Sequence, residues 1–284
     1  MNYEAITYAV EERIATITLN RPEARNGYTS QMADELGAAI RAAGADDDVR
    51  VLVITGAGDN FCVGADLSGG SIGFNADNPD EPWVEPATRA ARPIFELEKP
   101  VIAAVRGAAV GVGSTMILPA DFRIAATDSR FGFVFSQRGI YPEGGSAWFL
   151  PRLVGMGRAM DWMISGRIIP AEEALAAGMV TALYESDEVL DKAYDLARQL
   201  IAKTAPVSTA VIRQTLYRMS ALDSPIPTFD LDSRLIGGIG SSSDAIEGVM
   251  SFLERRPAEF TGLVSKDQPD YLPWHAPPED SNVS

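Results

Sequence analysis

The sequence predicts an α/β fold with a helical C-terminal segment. Residues 51–55 and 100–105 are short apolar runs closed by a nearby glycine, a pattern typical of strands buried on both faces. Helical stretches alternate with strands through the first half of the chain, and from Arg158 onward helical signals dominate. We therefore predict an α/β core over residues 1–204 and a helical segment with a tail over residues 205–284.

The first half supplies the strands of this prediction. Residues 13–19 alternate apolar and polar side chains, as a half-buried strand does. A helix is predicted over residues 30–43, with Thr29 or Ser30 as its N-cap. Residues 122–126 form a third buried strand and follow a short apolar stretch, 114–118, that suits a small buried helix.

The second half is predicted to be mostly helical, with irregular stretches elsewhere. The predicted helices cover residues 158–165, 171–177, 188–203, 207–219 and 243–255. The Gly- and Pro-containing stretch 68–86 predicts a mobile loop, and an exposed tail is expected from Gln268 onward.

Composition and charge restrict the classes of partner. Apolar residues make up 46% of the 284 positions, which is enough for a sizeable core. The net charge of −15 repels polyanions, so we expect no nucleic-acid partner. No apolar run approaches the roughly 18 residues of a membrane span, and the N-terminal residues lack signal-peptide features. We expect no membrane span and a cytoplasmic location.

The single cysteine and single histidine exclude several kinds of site. Cys62 has no partner for an intrachain disulfide, and we expect it to be a small buried residue. His275 lies in a Pro-rich tail and is expected to be solvated. Most metal sites and Ser-His or Cys-His arrangements are therefore excluded, and no metal site is predicted.

Three loops that follow predicted strands are the candidate places for chemistry: residues 56–67, 106–114 and 131–146. The second contains Gly-x-Gly, but Met116 stands where a dinucleotide-binding loop needs its third glycine. The first two loops each open a helix, so their free N–H groups could form an oxyanion hole. Alternatively, their glycines serve only tight turns and close packing.

The same loops resemble the motifs of the crotonase family, the enoyl-CoA hydratases and isomerases. The principal matches are FCVGADL at 61–67, AVRGAAVGVG at 104–113 and RGIYPEGGSAW at 138–148. Shorter matches are NRP at 20–22, PRLVG at 151–155, SGR at 165–167, EALAAGMV at 173–180 and the segment 247–256. The resemblance covers about residues 3 to 260.

The resemblance implies a crotonase-like spiral of β-β-α units with a C-terminal helical trimerisation segment, assembled as a homotrimer or hexamer. It implies an acyl-CoA thioester as substrate, with coenzyme A as part of the substrate and no separate cofactor. The implied oxyanion hole consists of the N–H groups of Ala65 and Val112. The implied CoA-binding residues are Ala24, Arg25, Gly64, Ala65, Asp66 and Leu67, and the implied acyl pocket contains Gly111, Thr115 and Phe135.

The acid–base residue implied by the resemblance is Glu143. The two glutamates of the family's hydratases align with Thr115 and Phe135, neither of which can act as a general base. Glu143 corresponds to the lone acid of the family's enoyl-CoA isomerases. We expect an apolar wall of Phe131, Phe133, Phe135 and Trp148 to raise its pKa, whereas a nearby helix start would oppose that rise. The alternative role is capping of that helix.

These observations favour a double-bond isomerase that holds a thioester enolate and uses Glu143 alone as its base. Hydration by Glu143 alone is one alternative. A non-catalytic acyl-CoA-binding protein, which has lost the two glutamates, is an alternative of another class.

Overall fold

The strands in the described part of the chain form two sheets. The structure, a computed structural model, describes residues 3–68 and 83–275. The strands in this part of the chain are β1 (Ile6–Glu11), β2 (Ile14–Leu19), β3 (Val51–Gly56), β4 (Val101–Val105), β5 (Ala108–Val110), β6 (Phe122–Ala126), β7 (Arg130–Gly132), β8 (Ile168–Pro170) and β9 (Ala182–Tyr184).

The helices separate these strands and then dominate the C-terminal part. They are α1 (Ser30–Ala45), α2 (Thr88–Glu96), α3 (Val112–Thr115), α4 (Ser146–Val154), α5 (Met156–Ser165), α6 (Ala171–Ala176), α7 (Val189–Lys203), α8 (Pro206–Met219), α9 (Ile226–Ile239) and α10 (Ser243–Glu254). Short 3-10 turns occur at Pro22–Ala24 and Ser136–Arg138.

The larger sheet has six strands in the order β1-β2-β3-β4-β6-β9. Only the β1–β2 pair is antiparallel; the other neighbours are parallel. All residues of β3 and β4 are buried, because helices and loops cover both faces of a parallel sheet. This burial on both faces explains why the sequences of these two strands are almost uninterrupted apolar runs.

The smaller sheet has the order β5-β7-β8 and makes the chain wind in repeated turns. β4 lies in the large sheet, β5 in the small sheet, and α3 follows; β6, β7 and α4 repeat that order. Isolated bridges from Cys62 to Ala109 and from Tyr28 to Ala65 extend the small sheet toward the first loop. This β-β-α winding brings successive loops to one side of the molecule.

Helix α1 shows how the sequence determines a local element. The Thr29 hydroxyl accepts a hydrogen bond from the Met32 N–H at 3.1 Å and caps the helix. Met32, Leu36 and Ile40, spaced four residues apart, are buried, so one face of α1 packs into the core. Thr29 is thus the N-cap, and the predicted helix is confirmed with two more residues at its C-terminal end.

The chain divides into two compact units, one ending at Leu200 and the other beginning at Ile201. The second unit contains α8, α9 and α10. Large apolar side chains of these helices are exposed, among them Ile212, Leu216, Phe229, Ile236, Phe252 and Leu253.

The expectation of an exposed tail from Gln268 onward is wrong for part of that tail. Leu272 is only 1% exposed. The Tyr271 hydroxyl donates a hydrogen bond to the Arg234 carbonyl at 2.7 Å, and the Arg234 guanidinium lies over the Tyr271 ring. An aromatic residue and an apolar residue thus attach this part of the tail to α9. His275 is exposed, as expected, and contacts the Trp274 ring edge-on.

Two other predictions concern irregular or short segments. Residues 69–82 of the predicted loop lie outside the described residues. The short helix expected at 114–118 instead begins at Val112 and ends at Thr115, because Gly111 adopts a positive φ of 58° and starts the helical turn early. None of the helices that the structure describes combines the length and apolarity that crossing a bilayer requires.

Candidate active site

A cavity of about 420 Å³ lies where the three candidate loops meet. Its walls come from the first loop, the turn before α3, the turn before α4 and the chain before α1 and α2. The lining residues are Tyr28, Thr29, Ser30, Val63, Gly64, Ala65, Asp66, Leu67, Ser68, Pro86, Ala87, Val110, Gly111, Val112, Val134, Phe135, Arg138, Ile140 and Glu143.

The first loop contributes Ala65 to the wall of this cavity. The Tyr28 N–H donates to the Gly64 carbonyl at 2.8 Å, and the Asp66 N–H donates to the Tyr28 carbonyl at 2.9 Å. These hydrogen bonds fix the backbone on both sides of Ala65. The Ala65 N–H itself donates to none of the described backbone groups. Gly64 has a φ of 104°, and a Cβ there would lie 3.2 Å from the Val110 carbonyl oxygen. Glycine therefore permits the close approach of the first two loops.

The second loop presents the Val112 N–H at the start of α3. The positive φ falls on Gly111, so Val112 occupies the first helical position. The Ser114 hydroxyl donates to the Ala109 carbonyl at 2.6 Å and accepts from the Gly132 N–H at 3.1 Å, which ties α3 to the small sheet. This hydroxyl, fully buried, fixes the backbone that carries the Val112 N–H.

Within the described part of the chain, neither the Ala65 N–H nor the Val112 N–H donates a hydrogen bond to another protein group. Both residues line the same cavity. The Val112 N–H lies at a helix start, whereas the first loop opens no helix among its described residues and the Ala65 N–H lies in that loop. Two free backbone N–H groups of this kind are suited to hold an oxygen that gains negative charge. The geometry thus brings together the two residues that the resemblance assigned to the oxyanion hole.

An ion pair attaches the first loop to the turn at residues 21–27. The Arg21 guanidinium contacts the Asp66 carboxylate at 2.8 Å and donates to the Gly27 carbonyl at 2.5 Å. Hydrogen bonds from Ser68, together with Arg21, lower the pKa of Asp66 to about 2. Asp66 is therefore a carboxylate that orients the loop, as well as a residue of the cavity wall.

Glu143 also lines the cavity and lies three residues before α4. Its Oε1 atom accepts a hydrogen bond from the buried Thr115 hydroxyl at 3.2 Å. Burial raises the pKa of Glu143 to about 7; the nearby Glu85 carboxylate adds to the rise, and the Thr115 hydrogen bond opposes it. This carboxyl group can therefore both accept and return a proton near neutral pH.

The capping role for the Glu143 side chain does not match its position. The N-cap of α4 is Gly145, and none of the side chains that the structure describes caps this helix. The Glu143 backbone carbonyl accepts from the Ser146 N–H at 3.2 Å, whereas its carboxyl group turns to Thr115. The side chain thus faces the cavity and not the helix end.

The predicted apolar wall around Glu143 is mostly wrong. Phe135 lines the cavity, but Phe131 and Phe133 are fully buried in the core. Phe133 stacks on Trp162 at a centroid distance of 6.4 Å. Trp148 packs against Phe149 at 4.7 Å and under the Arg152 guanidinium. Phe131 lies in β7 and Phe133 directly after it, and both side chains are buried in the core, whereas Phe135, two residues further on, lines the cavity.

The remaining implied site residues fall into two groups. Gly64, Leu67 and Gly111 line the cavity, and Leu67 is half exposed. Ala24 and Arg25 lie in the turn beside it: the Arg25 carbonyl accepts from the Val63 N–H at 3.3 Å, so the turn borders the first loop without lining the cavity.

Glu85, Tyr28 and Arg138 were not predicted as site residues from the sequence. Tyr28 and Arg138 line the cavity, and Glu85 accepts a hydrogen bond from the Gly144 N–H, next to Glu143. Glu85 belongs to the segment predicted as a loop. The signal that points to it is an acidic residue three positions before Thr88, where a helix could begin.

Cys62 is fully buried, as predicted, and burial raises the pKa of its thiol to about 12. It is therefore unsuited to act as a nucleophile near neutral pH. The described residues contain no group of three or more His, Cys, Asp or Glu side chains positioned to hold a metal ion.

Comparison with known proteins identifies the family. The family model for enoyl-CoA hydratase/isomerase matches residues 9–263. The chain belongs to the enoyl-CoA hydratase/isomerase family. It is 35% identical to the 1,2-epoxyphenylacetyl-CoA isomerase of Escherichia coli, with 91% of this chain and 99% of that protein covered. It is 37% identical to an enoyl-CoA hydratase of Alternaria alternata, with 87% of this chain and 82% of that protein covered.

Solved structures of this family have the same fold. The enoyl-CoA hydratase from Mycobacterium tuberculosis superimposes with a TM-score of 0.80 at 31% identity, covering 91% of this chain and 99% of that one. The crotonase resemblance and the fold class are thereby confirmed, and the protein is an acyl-CoA enzyme of the hydratase/isomerase family.

Proposed function

We propose that the enzyme moves the double bond of an unsaturated acyl-CoA, with Glu143 as the only acid–base residue. The observation that carries this proposal is the position of the Glu143 carboxyl group, on the wall of the cavity that the Ala65 and Val112 amides also line. Its pKa of about 7 suits a group that takes up and returns one proton.

The proposed reaction begins with a 3-enoyl-CoA. The Glu143 carboxylate removes a proton from the carbon next to the thioester carbonyl, and the C–H electron pair moves into the conjugated system, so that the carbonyl oxygen becomes an enolate oxygen. Protonated Glu143 then returns a proton to carbon 4, and the double bond ends between carbons 2 and 3. Atoms and charge balance, and the only cofactor-like group is the coenzyme A of the substrate.

The Ala65 and Val112 N–H groups are proposed to stabilise the enolate oxygen. Neither has a partner among the described protein groups, so both are available when the thioester binds. Each donor of this kind typically contributes about 2.7–4 kcal/mol of transition-state stabilisation. The implied CoA-binding turn at Ala24 and Arg25 borders the same loop and would hold the carrier.

Hydration is the second candidate, because relatives such as the Alternaria alternata protein are named enoyl-CoA hydratases. Thr115 and Phe135 occupy the positions that align with the two hydratase glutamates. In the described cavity wall, Glu143 is the only glutamate, so hydration would require it both to orient water and to supply the proton.

The test measures proton transfer directly. A 3-enoyl-CoA is incubated with the enzyme in deuterated buffer, and the products are analysed by NMR for deuterium and for hydroxyl addition. We expect 2-enoyl-CoA that carries deuterium, and a loss of about 100–10,000-fold in rate for Glu143→Gln, which keeps the shape but removes the base. Glu172→Gln, an exposed acid on α6, is the matched control and is expected to retain the wild-type rate.

Three outcomes contradict the proposal. A 3-hydroxyacyl-CoA as the main product would support hydration. Binding without exchange in the wild type would support the non-catalytic alternative. Exchange that is unchanged in Glu143→Gln would exclude Glu143 as the base.

A further inference from the structure

Glu85 connects the start of α2 to the residue next to Glu143. Its Oε1 atom accepts hydrogen bonds from the Gly144 N–H and the Thr88 N–H, each at 2.9 Å. Its Oε2 atom accepts from the Ala87 N–H at 2.6 Å, and the Thr88 hydroxyl also donates to Oε1. One carboxylate thus fixes two separate backbone segments.

All the groups that contact Glu85 in this arrangement are donors. These donors use most of the acceptor sites of the two carboxylate oxygens, so the side chain is fixed in this orientation. Within the described residues Glu85 forms no ion pair, so its direct contacts are N–H and O–H dipoles. A carboxylate held by these dipoles therefore contacts the residue that follows Glu143.

We propose that Glu85 is a positioning residue for Glu143. By accepting the Gly144 N–H while it holds the start of α2, it fixes the backbone that directs the Glu143 carboxyl into the cavity, and it places a negative charge beside that carboxyl. This proposal rests on the proposed role of Glu143. It adds that Glu85 orients the Glu143 carboxyl group and makes it more basic.

Other groups near Glu143 do not supply this charge. Burial raises the pKa of Cys62 to about 12 and that of Tyr28 well above its usual value, so both are neutral near pH 7. Asp66 is paired with Arg21 across the cavity. The charged and titratable groups that face Glu143 or share its surroundings are Tyr28, Cys62, Asp66, Glu85, Arg89 and Arg138.

Two substitutions separate the charge of Glu85 from its hydrogen bonds. Glu85→Gln keeps an oxygen for the Gly144 N–H but removes the negative charge. We expect the midpoint of the kcat–pH profile to fall by about one unit, because a nearby like charge no longer opposes ionisation of Glu143. Glu85→Ala also releases the Gly144 N–H, and we expect kcat to fall by about 100-fold with a small change in KM.

The matched control is Glu96→Gln, on the same helix α2, where the exposed carboxylate pairs with Arg92 at 2.7 Å. It removes one negative charge from α2 without touching Gly144, and its pH midpoint is expected to equal that of the wild type. An unchanged midpoint in Glu85→Gln, or an equal shift in Glu96→Gln, would overturn the proposal.

A titration without substrate keeps this test separate from that of the proposed function. The side-chain carboxyl carbon of Glu143, labelled with carbon-13 and assigned through Glu143→Gln, is followed by NMR from pH 4 to pH 9. We expect the same fall of about one unit in Glu85→Gln. If the enzyme does not isomerise 3-enoyl-CoA, this titration still decides whether Glu85 acts on Glu143.

If Glu85→Gln does not fold, Glu85→Asp replaces it. Shortening by one methylene keeps the charge but withdraws the carboxylate from the Gly144 N–H, so kcat should fall while the midpoint stays near that of the wild type. A wild-type kcat in a folded Glu85→Asp enzyme would contradict the positioning role.

Discussion

At the scale of single residues, the site depends on close contacts between backbone segments, which a residue larger than glycine would prevent. Gly113 is the clearest case: a Cβ at this position would lie 2.3 Å from the Cys62 carbonyl oxygen. The absent side chain lets α3 pack directly on the first loop. Ala65 and Val112 reach the same cavity because of this contact, so the chemistry of the site depends on a residue that touches no substrate.

We therefore expect Gly113→Ala to damage activity more than stability. The added methyl group must push α3 and the Cys62 backbone apart, at a cost of about 1–3 kcal/mol in the free energy of unfolding. Displacement of the Val112 N–H should lower kcat/KM by about 100-fold. Thermal unfolding and initial rates measure the two effects.

The matched control is Gly157→Ala in α5, where a new Cβ meets no atom of the described residues within 4 Å. Replacing an exposed helical glycine with alanine should raise the free energy of unfolding by about 0.5–1 kcal/mol. The variant should keep the wild-type rate. Equal kinetic losses in both variants would mean that the packing of Gly113 is not specific to the site.

At the scale of elements, loops are held in place by polar contacts between segments distant in the sequence. Arg21 contacts the Asp66 carboxylate and the Gly27 carbonyl, and the Asn26 side chain donates to the Ala57 and Asn60 carbonyls. The turn at residues 21–27 thereby supports the loop that carries Ala65.

Arg21→Ala should raise KM for an acyl-CoA with little loss of stability. The pair is partly exposed, so its contribution to the free energy of unfolding is about 0–1 kcal/mol. The pKa of Asp66, lowered to about 2, means that this contribution is present at neutral pH and is lost only as the pH falls through that value. Steady-state kinetics at pH 6 and pH 8 should show the same KM increase; an effect at only one pH would contradict this account.

Elements with a clear period or apolar run were predictable from the sequence. The strand at 122–126 coincides with β6, and the apolar runs correspond to β3 and β4. The three-residue strands β5, β7, β8 and β9 are too short to show a period. Helix α2 was missed, and for α4 only a start near Glu143 was predicted, because Pro93 and Pro151 lie inside these helices.

Site residues that lie in sequence motifs were predictable. Site residues that depend on contacts between distant segments were not. Gly64, Ala65, Val112 and Glu143 lie in motif loops that meet at one cavity. Glu85 was missed because its role depends on a hydrogen bond to Gly144, a residue 59 positions away in the sequence. The aromatic wall was mostly wrong because closeness in sequence does not show which side chains the tertiary fold buries: Phe131 and Phe133 enter the core, and Trp148 packs against Phe149.

At the scale of the whole molecule, the chain exposes a large apolar surface in its second unit. Phe252 is 81% exposed and Ile236 79% exposed, on α10 and α9. Many large apolar side chains are exposed on α8, α9 and α10, and apolar surface of this extent usually marks an interface with another chain. We propose that these helices assemble the enzyme as a homotrimer or a dimer of trimers.

Light scattering after size-exclusion chromatography tests the assembly. We expect a mass three or six times that of one chain, and a shift to smaller species for Phe252→Asp, because a buried unpaired charge opposes association. Gln199→Glu, which adds a charge at an exposed position on α7, should leave the mass unchanged. A wild-type mass equal to that of one chain would refute the proposed trimer.

The central claim is that two backbone amides hold one thioester oxygen while Glu143 carries the proton. Its most direct test is the infrared difference spectrum of an acyl-CoA with a carbon-13 label at the thioester carbonyl, bound to Glu143→Gln so that no turnover occurs. We predict a carbonyl stretching frequency below that of the free thioester, since hydrogen bonds from Ala65 and Val112 weaken the C=O bond. A bound carbonyl that absorbs at the frequency of the free thioester would contradict the account.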